Sequence, residues 1–150
     1  MNSSKLNSFL FFKLPSAWWC GVRVHKIDQH SAETRVRHRW FNQNPFGSLF
    51  WAVQGMAAEL STGVLVMQGI TKSEQGISML VANNKASFSK KAKGQITFSC
   101  DDGELVAPAV ARTLETGEGQ TFWMRSVGKD EAGDTVATFE FEWTIRARRN

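Results

Sequence analysis

Between Pro45 and Thr71 the chain carries one ionisable side chain, Glu59, in a stretch otherwise made of apolar and small polar residues. A carboxylate in such surroundings loses hydration, which raises its basicity and suits it to act as a general base or nucleophile in a largely dry cleft. The competing reading is structural: buried acids are usually paired, so Glu59 would reach solvent or meet an Arg of a neighbouring strand. Asn44, just upstream, is of a type that orients a water or a carbonyl oxygen, and equally one that caps a helix or fixes a turn. Ser61 and Thr62 follow Glu59, but helical Ser and Thr more often bond their own backbone than a neighbouring carboxylate. Lys90, Lys91 and Lys93 lie together near Gly94. Three lysines at a turn suit a polyphosphate; they also suit a solvated turn that guards a strand end.

These residues need elements to hold them. Phe46, Leu49, Phe50, Val53, Ala57, Leu60, Val64 and Met67 recur at the spacing of one helical face, which predicts a long helix over 47–69. Its other sides carry Trp51, Ala52, Ala58, Leu65 and Val66 rather than charges, so it must be covered nearly all round. A membrane span would explain an apolar stretch this long, but Gln54, Glu59, Ser61, Thr62 and Gln68 interrupt it. A mid-helix carboxylate costs about 2.5–3.5 kcal/mol to insert, so no stable span is expected.

Strands are predicted on either side. Gly21 to Ile27 and Ala32 to Trp40 read as a hairpin, the second strand alternating Ala32, Thr34, Val36, His38 and Trp40 against Glu33, Arg35, Arg37 and Arg39. Ile77 to Phe88, Ile96 to Cys100, Gln120 to Val127 and Thr135 to Arg148 complete the set, with a short helix over Pro108 to Thr116 stopped by Gly117. Leu6, Phe9 and Leu10 behind Ser3 and Ser4 predict a short N-terminal docking helix within residues 1–15, ended by Pro15. The run is too soon broken by Lys13 to be a signal peptide.

A flat sheet covers only one side of a wholly apolar helix, whereas a strongly curved sheet plus a second subunit covers it all. The expected fold is therefore α+β: a curved antiparallel sheet of about six strands wrapped around one long central helix, as one domain over residues 1–150. Exposed edge strands point to self-association as a homodimer or a dimer of dimers.

Composition narrows the function. A chain of 150 residues with 42% apolar and 21% charged residues is an ordinary globular mixture, and six Trp and eleven Phe supply a large core or interface. The net charge of +4 suits an anionic ligand. Nucleic-acid binding rests only on that balance and on Arg146, Arg148 and Arg149, and is not expected. Cys20 and Cys100 lie far apart in no redox or metal spacing, which fits a reducing, cytoplasmic compartment. His25, His30 and His38 have no metal spacing, and P-loop, dinucleotide and His-Glu-x-x-His patterns are absent. Neither a metal nor a cofactor is expected.

The segment Asn44-Pro45-Phe46-Gly47-Ser48, followed by the helix and Glu59, resembles the hotdog thioesterases related to the phenylacetyl-CoA thioesterase. In that group an Asn-x-x-Gly turn precedes the central helix and an acid lies twelve residues after the glycine, as Glu59 lies after Gly47. The run through Ala57, Ala58, Glu59 and Leu60, and the later Phe88 to Gly94, is more closely similar to an uncharacterised hotdog branch known only as a domain of unknown function. The likeness spans roughly residues 15–148.

The resemblance implies hydrolysis of an acyl-CoA or other acyl thioester. Glu59 would activate water or attack the carbonyl, a backbone N–H at the first turn of the helix would hold the oxyanion, and Lys90, Lys91 and Lys93 would meet coenzyme A phosphates. In the thioesterases that N–H belongs to a His-Gly-Gly motif, and the residues aligned with it here are Phe50, Trp51 and Ala52. Trp51 thus stands where a glycine lets substrate approach the backbone. It either closes over the acyl group or fills the space catalysis would need. The second case implies a non-catalytic module that binds an acyl chain or fatty ligand.

Overall fold

The computed structural model of the protein describes residues 1–148, so Arg149 of the basic tail lies outside the described residues. Eleven apolar-rich residues form α1 (Ser3–Lys13), capped at its start by the Asn2 side chain. Pro15 does end that helix, and it also opens another, α2 (Pro15–Trp19), because its fixed φ suits the first position of a helix. Six strands follow, β1 (Arg23–Ile27), β2 (Ala32–Arg37), β3 (Ile77–Phe88), β4 (Gln95–Cys100), β5 (Gln120–Lys129) and β6 (Thr135–Ala147). The long helix α3 (Trp51–Ser73) lies between β2 and β3, and α4 (Val106–Thr116) between β4 and β5.

The strands form one antiparallel sheet in the order β1-β2-β4-β5-β6-β3, which curves around α3 as the hotdog fold requires. Alternation decides which faces turn inward: Phe139, Phe141, Trp143 and Ile145 of β6 and Ala32, Thr34 and Val36 of β2 are buried, their neighbours less so. The Thr34 hydroxyl donates to the Ala57 carbonyl at 2.6 Å, tying the sheet to the helix it wraps.

The largest differences from the sequence reading fall on the central helix and the second strand, while the other elements shift by two residues or fewer at their ends. The central helix starts at Trp51, not Gly47, and runs on to Ser73. Gly47 has φ of 73°, a left-handed value that no helix contains, and Gln43 and Leu49 bridge to each other before the helix can begin. The second strand stops at Arg37, leaving Trp40 on an exposed single turn of 3-10 helix instead of on the buried face. Asn42 diverts the chain there: its amide donates to the carbonyls of Cys20 and Arg37, and its oxygen accepts the N–H of Arg39. Among the described residues no helix is long and apolar enough to cross a membrane.

Candidate active site

Glu59 sits in the ninth position of α3, half-buried, on a side of the helix where residues of α1 and of strands β3 and β6 meet around one cavity. No ion pair reaches it among the described residues. Burial holds its carboxyl above the usual carboxylate range, because the charged form has lost water and gained no cation. One turn on, Gly63 leaves room for the Trp143 ring: a Cβ there would stand 3.2 Å from the ring and at an ordinary 3.7 Å from Glu59 Oε1.

The indole is fixed by a buried relay. Thr62 Oγ1 donates to the Glu59 carbonyl at 2.8 Å and accepts the Trp143 indole N–H at 2.9 Å. Ser61 also bonds its own helix, at the Ala58 carbonyl, and shares a 2.7 Å hydrogen bond with Ser126. Both hydroxyls therefore serve the backbone, as helical Ser and Thr commonly do, and not the carboxylate. The carboxylate faces a cavity of ≈ 220 Å³ whose wall includes Phe9, Leu10, Met67, Met79 and Trp143.

The start of α3 forms a second hollow. Asn44, Phe50, Trp51, Gln54, Lys90 and Lys91 line a groove of ≈ 600 Å³. Asn44 locks the turn before the helix, its oxygen accepting the N–H groups of Phe46 and Ser48 and its amide donating to Ser48 Oγ. No side chain caps the helix, and the N–H groups of Val53 and Gln54 turn back to the Phe50 carbonyl. The amides of Trp51 and Ala52 therefore stand at the open end of the first turn with the positive end of the helix dipole. Trp51 is 59% exposed and meets Phe50 edge to face, so it forms a wall of the groove and does not plug it.

Of the residues singled out from the sequence, Asn44, Phe50, Trp51, Lys90 and Lys91 thus share one hollow and Glu59 lines another. The two hollows have no lining residue in common. Eight residues of helix separate Trp51 from Glu59, about 12 Å of axial rise. Gly47 shapes the turn, and Gly47, Ala52 and Lys93 line neither hollow. Lys90 is engaged within the chain, at 2.6 Å from Asp130 and 2.8 Å from Asp134, whose hydrogen bonds hold its pKa above the ordinary lysine value.

Sequence reasoning passed over Gln54. It is only 5% exposed, its amide donates to the Leu49 carbonyl, and its oxygen has no partner although it borders the groove. The available signal was a polar residue one turn into an otherwise apolar helix. The contribution of α1 to the Glu59 cavity carried no signal in local pattern at all.

This architecture is the hotdog fold. Residues 3–145 match the model of a domain of unknown function, DUF4442, and the chain belongs to that family. No curated protein matches it. Among solved structures it is similar to PA5026 of Pseudomonas aeruginosa, a protein of unknown function described as a probable thioesterase, with a TM-score of 0.79 and 20% identity over 97% of this chain and 96% of that one. It is also similar to OLEI01261 of Chlorobaculum tepidum, of unknown function, at a TM-score of 0.83 and 15% identity, covering 97% and 94%. The thioesterase HI1161 of Haemophilus influenzae superposes at 0.73 with 14% identity, covering 98% and 92%. At these identities the likeness is one of fold.

Proposed function

We propose that the protein hydrolyses an acyl thioester, with Glu59 as general base or nucleophile. The observation that carries this reading is the Glu59 carboxylate itself: unpaired, half-buried, raised in pKa, and facing a cavity large enough for an acyl group. Such a group takes a proton from water, the hydroxide adds to the thioester carbonyl carbon, and the C–S bond breaks as the carbonyl re-forms. The thiolate leaves and recovers a proton. Direct attack by the carboxylate gives an anhydride that water then opens, to the same products. The thioesterase descriptions of neighbours that share the fold support the same chemistry.

An amide at the start of α3, from Trp51 or Ala52, stabilises the oxyanion, and Asn44 and Gly47 hold the turn that exposes it. That amide comes from a second copy of the chain, because in one chain it lies two helical turns from Glu59. The free edge of β3, which a counterpart strand would pair, supports such a homodimer. This twelve-residue strand ends the sheet with a free edge, and Leu80 on it is 64% exposed. With Lys90 neutralised by two aspartates, Lys91 and Lys93 are the cations left for coenzyme A phosphates. A non-catalytic acyl-binding module is the competing reading, favoured by the separation of Glu59 from the start of α3 within one chain.

Turnover separates the two. Purified protein is incubated with acyl-CoA esters while free thiol is followed; Glu59→Gln is expected to lower the rate roughly 100- to 10,000-fold. Undiminished hydrolysis by that variant removes Glu59 from the reaction, and absence of hydrolysis by the unaltered protein leaves the binding module.

A further inference from the structure

The cavity beside Glu59 is closed on one side by α1, and α1 is held in place. Leu6 and Leu10 are buried beneath it. The Asn7 side chain treats the free edge of β1 as a neighbouring strand would: its amide donates to the Val24 carbonyl and its oxygen accepts the Val24 N–H, both at 2.9 Å. These bonds satisfy an edge that would otherwise stay open, and they fix where the helix lies. The wall that α1 contributes is therefore a built part of the cavity.

The lining is chemically one-sided. Apart from Glu59, and Lys13 at the exposed rim, its side chains are apolar, and the one polar atom of Trp143 is already bonded to Thr62. A ligand group inside would find nothing to hydrogen-bond except Glu59. An apolar cavity of about 150 Å³ takes up benzene, and at the same room per carbon one of ≈ 220 Å³ holds about nine carbons.

We infer that this cavity receives the acyl tail, that α1 is its wall, and that the substrate carries a plain hydrocarbon acyl group of about six to nine carbons. The inference rests on the thioesterase reading for its choice of ligand. Each methylene that enters an apolar site strengthens binding about fourfold, so preference climbs with chain length until the cavity is full. A hydroxyl on the buried part of the chain would go unpaired and is disfavoured.

The test measures kcat/KM for acetyl-, hexanoyl-, octanoyl-, dodecanoyl- and hexadecanoyl-CoA, and in parallel the calorimetric binding of S-alkyl-CoA thioethers of the same lengths, which cannot be hydrolysed. With unaltered protein, affinity is expected to climb about fourfold per methylene up to six to eight carbons and then to stay level through sixteen, since chain beyond the cavity gains nothing there. Phe9→Ala, which trims a half-exposed wall residue, should move the point of levelling to longer chains. Met79→Phe, which narrows the cavity, should move it to shorter ones. Asn7→Ala should extend the climb towards long chains by freeing α1.

A point of levelling that none of the three substitutions moves, or affinity that still climbs up to sixteen carbons in the unaltered protein, overturns the proposal, as does failure of every thioether to bind. Thioether binding that follows the expected lengths without turnover of any acyl-CoA supports the cavity assignment while overturning hydrolysis, so the two readings fail separately.

Discussion

At the scale of single residues, the role proposed for Glu59 is coupled to stability. Its carboxyl is raised above the ordinary value of 4.5 by loss of water. Between that value and its folded pKa the folded chain binds more proton than the unfolded one, so this group's contribution to stability is fully present below 4.5 and is lost as pH rises through the folded pKa. Glu59→Gln removes the cost of a buried charge. The variant should melt above the unaltered protein at pH 8 and lose that advantage near pH 4, as read by calorimetry across the range. Equal melting differences at both ends would mean that the carboxylate is well solvated after all. On the proposed mechanism the same residue sets the acid limb of the pH–rate profile, whose inflection in kcat/KM should lie above the ordinary glutamate range.

At the scale of elements, the departures from simple periodicity are hydrogen-bonding events. Asn42 ends β2 by satisfying three backbone groups at once. Asn42→Ala removes all three bonds and should cost about 2–3 kcal/mol, which for a chain of this size lowers the melting temperature by about 5–10 °C. A shift under about 1 °C would show that the loop after β2 needs no such anchor. Asn7 plays a comparable part for α1, which is anchored at a strand edge and so becomes a wall of the Glu59 cavity. The helical spacing of Leu6 and Leu10 announced that helix; the spacing of Asn7 from Val24 could not announce its dock.

At the scale of the whole molecule, the two hollows of one chain belong to one site only if two copies meet. Trp51→Pro removes the first-turn N–H at a position where a helix tolerates proline. Mixed with Glu59→Gln after denaturation and refolding, it should restore about a quarter of the unaltered activity, since half the dimers are mixed and each holds one intact site of two. Activity no greater than the sum of the separate variants would place both groups within a single chain. Light scattering on the unmixed protein checks the dimer itself.

The sequence by itself determined the elements and the composition of the centre. Apolar residues every third and fourth position made α3, alternation made β6, and an acid without charged neighbours in the chain marked Glu59. These are properties of short windows, and a window contains the physics that decides them. Tertiary structure alone decided that Lys90 meets Asp130 and Asp134 forty residues away, that Gln54 keeps an unpartnered oxygen at the groove, and that α1 faces Glu59 across a cavity. Such pairings follow from sheet order and curvature, which bring distant segments together by burying one shared surface, and no local spacing records which segments those are.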